Sequence, residues 1–160
     1  MFKKHLTKEQ AHQKARYYCA YQERCHKEVK EKLYDLGMHK NEVEEIISEL
    51  VQDNYLNEER FAILFAGGKF RTKQWGKTKI KYELKQKQVS AYCITKALNE
   101  IDETDYISTF EKLVKDKLDT LSKEKNIFIK MRKLQDYLRQ KGYESDLIRN
   151  VIQSVEKKQR

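Results

Sequence analysis

Residues 29–50 read VKEKLYDLGMHKNEVEEIISEL. Val29 and Leu33 share one helical face, and Gly37 follows where a helix wants a left-handed C-terminal residue. Asn41 then reads as the N-cap of a further helix with an apolar stripe of Val43, Ile46, Ile47 and Leu50. Shifted by 51 residues, the pattern Val29, Leu33, Met38, Val43, Ile46, Ile47, Leu50 falls on Ile80, Leu84, Val89, Ile94, Ala97, Leu98, Ile101. Shifted by 105, it falls on Leu134, Leu138, Tyr143, Ile148, Val151, Ile152, Val155, and Gly37 falls on Gly142. Tyr55 and Leu56 likewise fall on Tyr106 and Ile107. Apolar type is kept at all seven positions in three copies, although only 39% of the chain is hydrophobic. Coincidence is a poor explanation. The expected fold is all-α: three tandem three-helix repeats forming an elongated, curved array, because one short triplet buries too little alone and must stack on its neighbours. The repeats are placed at 1–56, 57–102 and 103–160.

Outward from that unit, a first helix is expected over 8–24, with Thr7 as N-cap and Gln10 completing a capping box. Its apolar face is Ala11, Ala15, Tyr18, Cys19 and Gln22. Helices follow at 26–36 and from Asn41. The middle repeat reads as a long helix over 58–72, a helix over 77–87 after Gly76, and a third capped by Ser90 and ending near Glu100. The last repeat starts near Thr104 or Asp105, runs to about Leu121 and continues through 125–141 and 145–158. Gly67 and Gly68 interrupt the long helix; they either permit a kink or close packing, or are tolerated at about 1 kcal/mol each. The absence of proline from all 160 residues suits long helices, since proline costs about 3 kcal/mol inside one.

Charge is abundant and uneven. The chain carries a net charge of +9, which favours an acidic partner such as nucleic acid, an anionic membrane surface or an acidic protein face. From Glu42 to Glu59 there are seven acids and no Lys or Arg. From Lys69 to Lys87 there are eight cations (Lys69, Arg71, Lys73, Lys77, Lys79, Lys81, Lys85, Lys87) against the single acid Glu83. Lys77, Lys81 and Lys85 form a row beside the buried row of Ile80 and Leu84. Like charges at this spacing cost a few tenths of a kcal/mol. The row either faces an anionic partner or is a solvated face whose stems cover apolar surface. Trp75, beside Gly76, reads as a packing wedge between repeats ahead of a base-stacking platform, and Phe61, Phe65 and Phe70 read as core. The ten tyrosines are too dispersed for an obvious stacking track.

No HExxH, GxSxG or P-loop occurs. Cys19, Cys25, His26 and His39 make a zinc site conceivable on paper only, because such sites need about four ligands in closed geometry. Three cysteines without a CxxC pair suit reduced thiols in a cytoplasmic protein. The N-terminal MFKKHLTKEQ lacks a signal peptide's apolar run, and no stretch approaches 18 apolar residues. A non-enzyme without metal or cofactor, not bound to a membrane and monomeric, is the expectation.

Three segments together carry a resemblance: LYDLG with EVEEIISEL, then NYLNEERFA (residues 54–62), then WGKTKIKYELKQKQVS (residues 75–90). With the triplicated repeat and the basic charge, they resemble the RecX family, bacterial regulators of the RecA recombinase, over essentially the whole chain. Arg60, Phe61 and Ala62 match the family's RFA element; Gly76, Lys79, Ile80, Glu83 and Leu84 match a G-x-x-K-I-x-x-E-L element. The chain departs from the family pattern at Gln88, where glycine usually precedes the third helix, and at the Gly67–Gly68 pair. The resemblance implies binding along the groove of the RecA–DNA filament, with DNA affinity secondary. It implies inhibition of recombinase, ATPase and co-protease activities, and so modulation of DNA repair and the SOS response. Arg60 and the eight cations from Lys69 to Lys87 are the candidate contact residues; Phe61, Trp75, Gly76, Ile80 and Leu84 are the structural ones. The alternatives are a standalone basic DNA-binding protein acting through phosphate contacts and a structural repeat scaffold.

Overall fold

Residues 5–159 are described by the computed structural model; residues 1–4, which begin the N-terminal segment MFKKHLTKEQ, and residue 160 lie outside them. The described residues form nine helices and no strand: α1 Lys8–Tyr21, α2 His26–Asp35, α3 Lys40–Gln52, α4 Glu58–Lys73, α5 Lys77–Gln86, α6 Ala91–Asn99, α7 Glu103–Thr120, α8 Ile127–Lys141 and α9 Ser145–Lys158. By compactness the chain divides into two units, Met1–Phe65 with Leu84–Ala97, and Ala66–Glu83 with Leu98–Arg160. The division falls inside 57–102, whose residues are shared between the two.

The repeated apolar positions are the core. The seven positions are buried in every copy except at Leu98, Val151 and Ile152, which are half-buried; of the pair that follows, Leu56 and Tyr106 are buried, Ile107 is half-buried and Tyr55 is exposed. In the first unit α1 packs on α2 and α3, and α2 on α3. Ala11, Ala15 and Cys19 close against Val29, Leu33, Val43, Ile46 and Leu50, with Leu56 sealing the end. Each full burial of a Leu, Ile or Val is worth about 1.5–3 kcal/mol. Gln22 falls off this stripe: it is exposed and is the C-cap of α1, because the chain turns extended there (φ −158°). In the second unit α8 packs on α7 and α9. Phe70, Tyr106, Phe110 and Tyr143 form a chain of ring contacts with centroids 5.0–5.8 Å apart.

One turn recurs three times. Gly37 N–H donates to Tyr34 O and Met38 N–H to Leu33 O (3.0 and 3.1 Å); Gln88 to Lys85 O and Val89 to Leu84 O (2.9 and 3.1 Å); Gly142 to Arg139 O and Tyr143 to Leu138 O (2.9 and 3.2 Å). This is the Schellman pattern, with an apolar residue just past the helix returning onto one in its last turn. Gln88 takes the left-handed conformation (φ 60°) that Gly37 and Gly142 take at 91°. The turn's hydrogen bonds are therefore kept without glycine.

Helix starts follow local chemistry. The Thr7–Gln10 capping box forms, with hydrogen bonds of 3.0 and 3.1 Å. Ser90 Oγ accepts from Cys93 N–H at 3.3 Å. The cap of α3 is His39 rather than Asn41: Glu42 reaches back to the His39 N–H at 3.2 Å, which leaves Asn41 in the first turn. The last triplet begins at Asp102, whose carboxylate accepts from Asp105 N–H at 2.9 Å, ahead of the Thr104 or Asp105 start expected from sequence. The Gly67–Gly68 pair does not break α4, which runs unbroken from Glu58 to Lys73. A Cβ at Gly68 would meet nothing within 4 Å, so that glycine is tolerated rather than required for packing.

Candidate functional site

The basic block straddles the end of α4 and the start of α5. Between them lie Gln74, left-handed at φ 53°, then Trp75 and Gly76. Gly76 has no side chain to cap α5, so the N–H groups of the first turn find acceptors elsewhere in the unit. Gly76 N–H donates to Lys141 O at 2.7 Å, and Gly142 O accepts from Thr78 and Lys79 N–H at 2.9 and 3.3 Å. Lys77 N–H donates to the Tyr106 hydroxyl at 2.9 Å, and that hydroxyl donates to Glu144. Carbonyls at the C-terminus of α8 thus meet the N–H groups at the N-terminus of α5, a favourable opposition of helix ends. The approach leaves no room at Gly76, where a Cβ would stand 2.4 Å from the Gly142 carbonyl. Tyr143 Oη donates to Gln74 O at 3.0 Å and fixes the turn from the other side. Burial, reinforced for Tyr106 by the bond to Glu144, holds both phenols protonated far above their ordinary range.

This scaffold gathers three cations on one ring. The ammonium groups of Lys79, Lys69 and Lys73 lie 4.6, 5.2 and 5.7 Å from the centre of the half-buried Trp75 ring. Lys79 and Lys141 are further tethered to Gln140 O and Lys73 O at 3.4 and 3.2 Å. Each cation–π contact is worth about 0.5–1 kcal/mol at exposed sites. The ring thus gathers positive charge at one place.

The other candidates divide by what they touch. Lys77 pairs with Glu103 at 3.4 Å and lies over the Tyr106 ring at 4.7 Å. The Arg71 guanidinium folds back over Gly67, where a Cβ would come within 2.7 Å of it. Lys81 and Lys85 are exposed on α5. In the other unit, Lys87 pairs with Glu28 at 3.7 Å and lies over Phe65. Arg60 is tied to Glu23 at 2.5 Å, to Asn54 Oδ1 and O at 3.1 Å each, and to Tyr55 O at 3.5 Å. Its donors clamp the loop between α3 and α4 to the end of α1, a structural role invisible in the sequence because Glu23 lies in another helix's flank. Phe61, Gly76, Ile80 and Leu84 are buried.

Among the described residues, no group of three or more His, Cys, Asp or Glu could hold a metal ion. Cys19, Cys25 and Cys93 are buried free thiols. Burial pushes the Cys19 and Cys25 thiols up to about 11, so neither is a nucleophile near neutral pH. No helix among the described residues is long and apolar enough to cross a membrane.

Known proteins share this architecture. Family models for the first, second and third three-helix domains of RecX match residues 11–50, 57–98 and 103–152. The regulatory protein RecX of Bacillus cytotoxicus is 30% identical over 86% of this chain and 51% of its own length. The Clostridium perfringens protein of the same name is 31% identical over 81% of this chain and 60% of its own. The chain therefore spans about half of the curated relatives it matches. The crystal structure of RecX from Lactobacillus salivarius superposes with a TM-score of 0.82 at 25% identity, covering 93% of this chain and 96% of that one. A second crystal structure of regulatory protein RecX shares the fold, with a TM-score of 0.80 at 20% identity over 92% of this chain and 71% of that one. With three consecutive domain matches in the family's own order, the chain belongs to the RecX family of regulatory proteins.

Proposed function

We propose that this chain binds RecA–DNA filaments and inhibits the recombinase, ATPase and co-protease activities of RecA, acting in the cytoplasm as a monomer and moderating DNA repair and the SOS response. The observation that carries the reading is family membership in all three triplets, taken as repeats 1–56, 57–102 and 103–160. The cations from Lys69 to Lys87 are the proposed contact, led by Lys69, Lys73 and Lys79 around Trp75. Regulation by occupancy needs no reacting group. Positive charge speeds encounter with a DNA-loaded filament more than it adds final affinity, which makes direct DNA contact secondary. The test is a titration of RecA-dependent ATP hydrolysis on single-stranded DNA, with binding to naked DNA measured at the same physiological salt. Inhibition is expected at protein concentrations where naked DNA is largely unbound. Equal affinity for naked DNA and for the filament would instead identify a standalone DNA-binding protein.

A further inference from the structure

Tyr17 and Tyr21 stand one turn apart on α1, 70% and 84% exposed. The opposite face of that helix, Ala11, Ala15 and Cys19, is buried, so neither ring belongs to the core. Together with Lys14, Tyr18, Arg24 and Lys32 they line an open groove of about 690 Å3 within the first unit, and no carboxylate lines it. The stretch from Gln10 to Gln22 contains no Asp or Glu. The Arg24 guanidinium lies 3.8 Å from the Tyr18 ring centre and the Lys32 ammonium 5.6 Å from it. Arg24 also pairs with Glu28 at 3.6 Å, so the positive charge of the groove rests on Lys14 and Lys32.

We propose that this groove binds single-stranded nucleic acid, with bases stacking on Tyr17 and Tyr21 and phosphates meeting Lys14 and Lys32. Aromatic faces beside cations are what a single strand offers bases and phosphates to. Residues one turn apart on a helix have Cβ atoms roughly 5–6 Å apart, wider than the rise of about 3.4 Å along a stacked strand. The two rings therefore take bases of an unstacked strand, and a duplex, whose base faces are covered, gains nothing from them. An acidic peptide would satisfy the lysines but leave both rings without a role. The inference deepens the proposed function by naming a strand contact away from the Lys69–Lys87 block, and it rests on that reading only for where the strand comes from.

The test titrates a fluorescein-labelled oligo-dT, a duplex of equal length and poly-glutamate, by anisotropy, with the unmodified chain, with Tyr17→Ala/Tyr21→Ala and with Tyr17→Phe/Tyr21→Phe. The alanine pair is expected to weaken oligo-dT binding by about tenfold or more, with unchanged helix content by circular dichroism. The phenylalanine pair keeps the rings and should bind like the unmodified chain, and duplex affinity should be the same in all three. No oligo-dT binding by the unmodified chain, an unaffected alanine pair, an equal loss for the duplex, or poly-glutamate binding as tight as oligo-dT and equally lost would each overturn the assignment. So would a change of oligomeric state in the alanine pair, which would make the face a self-contact. The RecA-dependent ATPase titration reports separately: failure of the unmodified chain to inhibit removes the proposed function and leaves the oligo-dT result standing.

Discussion

Gln88 holds a left-handed backbone (φ 60°) in a turn whose two counterparts are glycine. A side chain with a Cβ costs roughly 1–2 kcal/mol in that conformation, and glycine gives part of this back through its greater freedom in the unfolded chain. Gln88 is exposed, so little packing opposes the change. Gln88→Gly should therefore raise stability by about 0.5–1 kcal/mol, seen as a melting temperature higher by about 2–4 °C per kcal/mol in a chain of this size. A lower melting temperature would mean that the glutamine side chain makes a contact worth more than the strain. His26 sets a second residue-scale expectation. Burial holds its imidazole below the ordinary 6.5, outweighing the pull of Glu58 in the other direction. The unfolded chain thus binds the proton more readily than the folded one, and this group's contribution is intact above pH 6.5 and is lost as pH falls from there through the folded value. Denaturant midpoints measured from pH 7.5 down to about 5 should fall less steeply in His26→Gln than in the unmodified chain; parallel curves would assign the slope to other groups.

At the scale of helices, the question is how α5 begins. Other helices carry their own cap in sequence: Thr7 for α1, Asp102 for α7, Asn126 for α8. For α5 the caps are the C-terminal carbonyls of α8 and the Tyr106 hydroxyl of α7. Tyr106→Phe removes a hydroxyl that both accepts from Lys77 N–H and donates to Glu144. The ring contacts with Phe70 and Tyr143 stay. The expected cost is about 1–3 kcal/mol, because two partly buried polar groups lose their partner while packing is retained. Equilibrium urea unfolding measures it, and a change under 0.5 kcal/mol would mean that water replaces the hydroxyl there. The same contrast explains what was legible beforehand. The spacing Leu33–Gly37–Met38, repeated as Leu84–Gln88–Val89 and Leu138–Gly142–Tyr143, encodes helix, turn and core locally, so the triplet architecture could be read from apolar period alone. The opposition of Gly76 to Gly142 could not, because it depends on two backbones far apart in sequence approaching until a Cβ no longer fits.

For the molecule as a whole, a net charge of +9 says that an acidic partner is favoured, without saying which cations remain to meet it. The concentration of charge from Lys69 to Lys87 was plain in the sequence. Its division was not, because Glu23, Glu28 and Glu103, which pair with Arg60, Lys87 and Lys77, lie in segments whose proximity only folding establishes. That division changes which variant tests the proposed contact. Reversing Lys77 would also break its bridge to Glu103 and disturb the start of α5, confusing a lost contact with lost structure. Lys81 and Lys85 are exposed one turn apart on α5, and reversing them removes charge while leaving the buried Ile80 and Leu84 in place. Lys81→Glu with Lys85→Glu should leave the melting temperature and helix content near their original values. It should raise the concentration for half-inhibition of RecA-dependent ATP hydrolysis by roughly tenfold at low salt, or about 1.4 kcal/mol. The difference should shrink as ionic strength rises toward 1 M, where charges are screened within about 3 Å. A tenfold loss that persists at high salt would point to a packed contact rather than a steering field. Unchanged inhibition at every salt concentration would move the filament contact off Lys81 and Lys85 and onto the lysines gathered at Trp75, where Lys79→Glu becomes the variant to measure.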